Sequence, residues 1–232
     1  MENMFKKKRN IDIVFCIDGT GSMSPCIGNV KEHAKRFQFE FAQAMTEKYN
    51  SELDSMRARV IVFRDYECDE DAMVMSDFFE LPIDDAEYEN FLAGVVANGG
   101  GDIPENGFEA LYYAMKSDFT TGTNDRQIIV LFTDADALDL GERASSGRYP
   151  NDMVDMDGLI NTWNCATGQQ DSSLKLRERN KRLINYAPEG TKYERLKDRL
   201  NRCIFKAVVP ATGMEEIDFK EIIDIIAASA SA

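Results

Sequence analysis

The segment 127–133 reads QIIVLFT, in which five consecutive residues, 128–132, are apolar. A strand without polar alternation must bury both of its faces, as strands do in parallel sheets covered by helices on both sides. The segment 11–17, IDIVFCI, has the same character apart from Asp12. These two segments predict an α/β protein built on a central, buried sheet.

Segments with helical periodicity alternate with the apolar strands along the chain. Strands are predicted at 11–17, 57–63, 73–79, 127–133, 182–186 and 202–209, and helices at 25–49, 84–96, 104–116, 193–201 and 218–228. Asp84 and Glu87 have the spacing of a capping box at the start of the second helix. The predicted fold is a doubly wound, mostly parallel central sheet with helices on both faces and one short antiparallel edge strand at 73–79.

The length of 232 residues suits one large domain. Residues 1–10 are predicted to be a basic N-terminal extension, and 11–232 a single domain. Within it, the stretch at about 138–181 lacks periodicity and is rich in Ser, Gly, Asn and Asp, so it is interpreted as a long excursion. Trp163 is its expected hydrophobic anchor.

The formal net charge of −14 argues against nucleic acid as a partner, because that binding depends on extended basic patches. The short basic clusters at 6–9 and 177–182 are expected to be solvated. No stretch has the roughly 18 apolar residues of a membrane span. The apolar segment after the first basic cluster contains Asp12 and is too short for a signal peptide.

The five cysteines are widely spaced and form no CxxC pair, which argues against a zinc site or a disulfide framework. A reducing, cytoplasmic location is therefore expected.

Three polar loops follow predicted strands or precede helices. They are 18–23 (DGTGSM), 99–105 (GGGDIPE) and 133–135 (TDA). In open parallel sheets, ligands bind beyond the carboxyl ends of the strands, so the three loops are expected to converge there. An alternative interpretation of Asp134 alone is that it caps a helix.

The loops offer an oxygen-only set of ligands for a metal ion. The candidate ligands are Asp18, Thr20, Ser22, Asp102 and Asp134. Such hard ligands favour Mg²⁺, Mn²⁺ or Ca²⁺ over zinc. Gly19 and Gly21 would permit a tight turn and close backbone approach, and a cation would relieve the repulsion among three carboxylates.

These motifs resemble the metal-ion-dependent adhesion site of von Willebrand factor A domains: FCIDGTGSM its DxTxS loop, GGGDIPE a GGGDxPE variant of its second loop, and FTDADA its third loop. The segments VFRDY (62–66), YPNDM (149–153) and RLINYAP (182–188) resemble a prokaryotic, alpha-kinase-linked subgroup.

The resemblance implies that Asp18, Thr20 or Ser22, and one of Asp102 and Asp134 bind the ion directly, while the other aspartate acts through water. It also implies that an acidic residue of a protein partner completes the coordination. Kinase, phosphatase or ATPase components are the expected neighbours in an intracellular assembly. An acid at Asp102, where better-known members have threonine, would weaken the attraction of the ion for an acidic partner.

Three further residues have two interpretations each. Arg64 and Asp65 are expected to form a structural ion pair at the sheet edge, with a role in the second shell or in partner binding as the alternative. Glu105 is expected to lie in the first turn of a helix, where its charge favours the helix dipole, or to contribute to the site.

No nucleophile or general base stands out, so no catalytic residue is predicted. The alternatives are a magnesium-dependent hydrolase or phosphotransferase with haloacid-dehalogenase-like chemistry, and a structural subunit whose metal site is vestigial. The first would need a second aspartate two positions after Asp18, where the chain has Thr20.

Overall fold

The computed structural model of the chain describes residues 6–100, 104–164, 173–212, 214, 215 and 218–232. The strands are β1 (Lys7–Asp18), β2 (Ser51–Phe63), β3 (Met73–Met75), β4 (Phe79–Leu81), β5 (Asp125–Phe132), β6 (Lys181–Pro188) and β7 (Cys203–Val208). The helices are α1 (Ser24–Tyr49), α2 (Asp85–Gly94), α3 (Gly107–Met115), α4 (Met156–Asn164), α5 (Lys192–Leu196) and α6 (Phe219–Ser231).

The strands form one sheet in the order β3-β2-β1-β5-β6-β7, in which β4 also pairs with β2. The neighbours from β2 to β7 are parallel, whereas β3 and β4 are antiparallel to β2. After β1, the next strand of the chain, β2, pairs with it on one side, and β5 later pairs with it on the other side. The carboxyl ends of β1 and β5 therefore flank a topological switch point, where such sheets bind ligands.

Both faces of the sheet are covered by helices, which confirms the predicted fold class. Helices α1, α2 and α6 bury one face, with side chains such as Phe37, Leu92 and Ile226 in its core. Helices α3, α4 and α5 bury the other, where Leu111 and Trp163 lie. This two-sided burial explains why β5 is buried at all of its positions.

Several predicted boundaries differ from the structure at polar ends of strands and helices. Residues 7–10 of the predicted extension belong to β1, and β2 begins at Ser51 because its polar first half pairs with them. The antiparallel edge predicted at 73–79 consists of two short strands, β3 and β4. The expected capping box is not formed, since the Asp84 carboxylate accepts a hydrogen bond from the amide of Glu80 instead.

Asp12 interrupts the apolar pattern of β1 and is buried, with 2% of its surface exposed. Its two carboxylate oxygens accept hydrogen bonds from Nε and Nη2 of Arg57, on the adjacent β2, at 2.9 and 2.7 Å. The amide and hydroxyl of Thr120 also donate to it, at 2.6 and 3.0 Å. The pairing raises the pKa of Arg57, chiefly through the hydrogen bond to Asp12. A charge inside this strand is therefore fully compensated.

The excursion contains a helix, α4, which was not predicted because this part of the sequence shows no helical periodicity. Trp163 of this helix is fully buried, and its indole nitrogen donates to the main-chain oxygen of Asn201 at 2.7 Å. The buried Lys181 amine contacts both the Trp163 main-chain oxygen and the Glu178 carboxylate. Trp163 thus anchors the excursion to the sheet, as predicted.

The two basic clusters are not fully solvated, contrary to prediction. Arg9 has 1% of its surface exposed, Lys181 none and Arg182 8%. All three lie near the amino ends of sheet strands. None of the helices in the described part of the chain combines the length and hydrophobicity that a membrane crossing requires.

Candidate metal centre

Asp18 is the last residue of β1 and is completely buried. Its Oδ1 accepts hydrogen bonds from the amide and the hydroxyl of Thr20, at 2.9 and 2.7 Å. Its Oδ2 accepts from the hydroxyl of Thr133, at 2.7 Å. Thr133 follows β5 directly, so the carboxylate of Asp18 links the ends of the two central strands.

Ser22 and Asp134 extend this arrangement toward solvent. The Ser22 hydroxyl is 2.9 Å from Oδ1 of Asp134 and 3.4 Å from the Thr20 hydroxyl. Ser22 is exposed, whereas Asp134 is 3% exposed. The structure therefore brings Asp18, Thr20, Ser22 and Asp134 together in one hydrogen-bonded cluster, called here the carboxylate–hydroxyl cluster. Asp102 lies outside the described residues.

Electrostatics in the cluster disfavour two uncompensated carboxylates. Burial raises the pKa of Asp18 to about 6; the hydrogen bonds from Thr20 and Thr133 oppose this shift, and the negative charge of Asp134 adds to it. A bound cation would stabilise both ionised groups at once.

The donor set is consistent with a hard divalent ion. It consists of oxygens alone, and magnesium sites commonly use one or two carboxylates and complete their coordination with water. Within the described residues, no three or more His, Cys, Asp or Glu side chains gather closely enough to hold a metal ion. Hydroxyls and water would therefore complete the coordination beside Asp18 and Asp134. Ion binding by these residues stays a prediction.

The loop after β1 is shaped by Gly19. A Cβ atom at this position would lie 2.6 Å from Cγ1 of Val62 and 2.8 Å from Cζ of Arg64. Its amide donates to the main-chain oxygen of Phe63 at 2.8 Å, which holds the loop against the end of β2. At Gly21 the nearest atom to such a Cβ is an oxygen of Gly99 at 3.9 Å, so space does not require glycine there.

We predict that Gly19→Ala lowers the free energy of unfolding by about 1–3 kcal/mol, because the added methyl must displace Val62 or Arg64. Gly21→Ala is the matched control and should change stability by less than about 0.5 kcal/mol. Urea unfolding followed by circular dichroism measures both. Equal unfolding midpoints for the two variants would contradict the tight approach at Gly19.

The first residues of the second loop lie beside the first loop. The amide of Asn98 donates to the main-chain oxygen of Gly19 at 3.0 Å. Gly99 and Gly100 have φ angles of 75° and 79°, in the left-handed region that glycine adopts readily. A Cβ at Gly100 would lie 3.0 Å from Cγ2 of Thr20. The chain therefore passes beside Thr20 just before Asp102.

Arg64 joins the two loops through main-chain oxygens. Its Nε is 3.1 Å from the oxygen of Gly19 and 3.0 Å from that of Asn98. Its Nη2 donates to Val96 at 2.8 Å, and its Nη1 to Asp71 at 2.9 Å. Arg64 is 6% exposed and acts as a structural cross-link.

The ion pair expected between Arg64 and Asp65 is not formed, since Asp65 pairs with Arg143 of the excursion. The Nε of Arg143 is 2.8 Å from Oδ1 of Asp65, and its Nη2 is 2.5 Å from Oδ2. Nearby, the hydroxyl of Tyr149 donates to Glu109 of α3 at 2.8 Å. The excursion is thus attached beside the cluster, through contacts that sequence spacing could not reveal.

Glu105 precedes α3, which begins at Gly107, and is not in the first turn of that helix. Its main chain bridges to the third loop: its amide donates to Asp136 at 3.1 Å, and its oxygen accepts from Leu138 at 2.8 Å. It is 2% exposed. Glu105 therefore fixes the second loop to the third.

Neither the comparison with protein-family models nor that with curated proteins finds a match. Solved structures do resemble the chain. The pilus adhesin SpaC from Lactobacillus rhamnosus GG covers 96% of it with a TM-score of 0.57 and 10% sequence identity. A von Willebrand factor type A protein from Catenulispora acidiphila covers 94% of it with a TM-score of 0.52 and 14% identity. The chain has the von Willebrand factor A fold.

The chain spans 31% of the SpaC chain and 42% of the Catenulispora chain. A structure of proximal thread matrix protein 1 from the mussel byssus with a zinc-occupied MIDAS motif has a TM-score of 0.45 and 12% identity, too low to support an inference. The prokaryotic, alpha-kinase-linked type of this von Willebrand factor A domain stays a prediction.

Proposed function

We propose that this von Willebrand factor A domain is a protein-binding module that uses a divalent metal ion to bind an acidic residue of its partner. The carboxylate–hydroxyl cluster supports the proposal most directly. It places two carboxylates and two hydroxyls at the carboxyl edge of the sheet, with Ser22 exposed to solvent.

Asp18 and the hydroxyls of Thr20 and Ser22 would hold the ion, with Asp134 or Asp102 as a further ligand. Mg²⁺ is the expected ion, with Mn²⁺ or Ca²⁺ as alternatives, because all donors are hard oxygens. When bound, the ion supplies a positive centre that attracts a carboxylate oxygen from outside. The buried parts of the cluster keep the two carboxylates of the chain in place for it.

Binding without catalysis agrees with the contacts of Thr20. A haloacid-dehalogenase-like reaction needs a second acid two positions after the first, whereas here the Thr20 hydroxyl donates to Asp18 at 2.7 Å. Thr20 has no carboxyl group, so it cannot protonate a leaving group as that second acid would. We therefore favour the module over a hydrolase.

The proposed setting is a cytoplasmic multiprotein assembly that includes kinase, phosphatase or ATPase components. The sequence resemblance to the alpha-kinase-linked subgroup supports it. Cys16, Cys26, Cys68 and Cys203 are thiols in the structure, which is compatible with a reducing compartment.

An affinity capture experiment tests the proposal. Immobilised wild-type protein in Mg²⁺ should retain a partner that EDTA releases and that Asp18→Ala fails to retain. Ser22→Ala, which removes only an exposed hydroxyl, should weaken retention in a folded chain. Asp54→Ala is the matched control, because Asp54 is exposed and pairs with Lys8 at the opposite end of the sheet.

Each sample is first checked for native circular dichroism. Retention of the same partner in EDTA and by folded Asp18→Ala would refute metal-mediated binding. Loss of the partner by Asp54→Ala as well would show that binding depends on general charge and not on the cluster.

A further inference from the structure

Three arginines lie on one face of the sheet, at the end opposite the metal centre. Each arginine lies two positions before a residue of the core beneath α1 and α6. The pairs are Arg9 and Ile11, Arg126 and Ile128, and Arg182 and Ile184. In the parallel register, Ile11 is opposite Arg126, and Ile128 is opposite Arg182. Because side chains alternate along a strand, the three arginines point to the same side. They occupy the adjacent strands β1, β5 and β6.

The arginines are buried, with 1%, 5% and 8% of their surfaces exposed for Arg9, Arg126 and Arg182. In the described part of the chain, no aspartate or glutamate carboxylate lies within 4.0 Å of any of them. The Nε atoms of Arg9 and Arg126 have no hydrogen-bond partner among the described residues. The nearby hydroxyl of Ser231 is also buried without one.

The neighbouring acidic side chains are engaged elsewhere. The Asp125 carboxylate accepts hydrogen bonds from Asn10 at 2.8 Å and from the amide of Gly122. Glu178 pairs with Lys181 at 2.6 Å and with Arg202 at 3.5 Å. Positive charge therefore exceeds negative charge around the three arginines, in a chain whose net charge is −14.

The positive charges of these groups disfavour one another's charged form. Burial, and after it the charges of Arg9, Arg182 and Arg202, lower the pKa of Arg126 to about 10. The charge of Arg9 is also the main cause that lowers the pKa of Lys7, with burial and Arg126 next. At neutral pH the guanidinium groups remain charged, so the repulsion persists.

The carboxyl end of α6 accounts for only part of this charge. Arg9 donates to the main-chain oxygen of Ser231 at 3.4 Å, and Arg126 donates to that of Ala232 at 3.0 Å. The helix end carries about half a negative charge, and the carboxylate of Ala232 in this structure adds one more, which together are too little to balance three guanidinium groups. Among the described residues, the hydrogen bonds of the Arg182 side chain go to the main-chain oxygens of Arg179 and Lys181, at 3.2 and 2.7 Å.

We propose that Arg9, Arg126 and Arg182, together with the Ser231 hydroxyl, form a binding site for a phosphate-type oxyanion. The exposed Lys7 and Arg202 would attract the anion from solvent. Guanidinium groups match phosphate oxygens in pairs, and a doubly charged anion balances most of the excess charge. The site lies at the amino ends of the strands and is independent of the metal centre.

Calorimetric titration and thermal melting test the site in the wild-type protein, with EDTA present so that no ion can attract phosphate to the metal centre. Inorganic phosphate should show measurable binding in the titration. At a phosphate concentration of 100 times the Kd, the Tm should be about 5–10 °C higher than in NaCl of equal ionic strength. O-phospho-L-serine is titrated separately. Tighter binding of the free or of the esterified phosphate identifies the source of the anion.

Arg126→Gln should weaken phosphate binding by at least about tenfold, because it removes a charge-assisted donor. Arg36→Gln is the matched control, since Arg36 lies on α1 with 62% of its side chain exposed, and it should bind phosphate like the wild type. Equal effects of phosphate and chloride on the wild type would overturn the proposal whether or not any variant folds. Undiminished binding by folded Arg126→Gln would overturn it as well.

Discussion

Saturating Mg²⁺ is expected to raise the Tm of the wild-type domain by about 5–10 °C and to leave that of Asp18→Asn unchanged. An ion that binds only the folded state stabilises it by about 2.7 kcal/mol at 100 times its Kd. In a domain of this size, each kcal/mol corresponds to about 2–4 °C. Asparagine keeps the shape of Asp18 and an acceptor for Thr20 but removes the charge that attracts the ion. Differential scanning calorimetry in buffer with increasing Mg²⁺ measures the shift.

Asp54→Asn is the control for the loss of one carboxylate, and its Mg²⁺ response should match that of the wild type. EDTA should reverse the wild-type shift. An absent shift in the wild type, or the same shift in Asp18→Asn, would favour a structural subunit with a vestigial site. Repeating the titration with Mn²⁺ and Ca²⁺ ranks the ions by affinity.

Asp12→Ala is expected to lower the free energy of unfolding by about 3–5 kcal/mol, the largest loss predicted for a single substitution in this chain. It removes the carboxylate that accepts two hydrogen bonds from Arg57 and leaves that guanidinium with the main-chain oxygen of Asp118, at 3.0 Å, as a weaker acceptor. It also removes the acceptor of the Thr120 amide and hydroxyl. Urea unfolding should show a lower midpoint with an unchanged slope.

Asp54→Ala serves as the control here too. Asp54 pairs with Lys8 across the same two strands, but at 3.4 Å and in solvent. Its removal should change stability by less than about 0.5 kcal/mol. The double variant Asp12→Leu, Arg57→Met should recover part of the loss, because it buries no unpaired charge. If Asp12→Ala and Asp54→Ala proved equally stable, the pair in the sheet would contribute little.

The sequence predicts the centre of the fold better than its margins. β5 and most of β1 are buried on both faces, so apolar runs reveal them, with Asp12 as the one polar interruption between Ile11 and Ile17. The first half of β2 was missed because Ser51 begins a polar segment that pairs with the basic start of β1. The division of the edge into β3 and β4 depends on pairing with β2, which local sequence does not encode.

The site shows the same contrast between local and distant information. Asp18, Thr20 and Ser22 lie in one loop, and Asp134 follows a strong strand, so motif and topology suffice to place them together. Thr133 was missed as a partner of Asp18, although its position directly after β5 was a usable signal. The Asp65–Arg143 pair joins residues 78 positions apart. No periodicity or motif marks Arg143 within its Ser- and Gly-rich surroundings.

The cross-link made by Arg64 affects how much conformational entropy the loops would lose when an ion binds. Because it holds the main-chain oxygens of Gly19, Asn98 and Val96, this described part of the two loops would need little ordering if a cation binds. Less conformational entropy is then lost on association, and preorganisation of this kind strengthens affinity. The ion site would then be preorganised, and little of the free energy of coordination would be spent on ordering the loops before a partner binds.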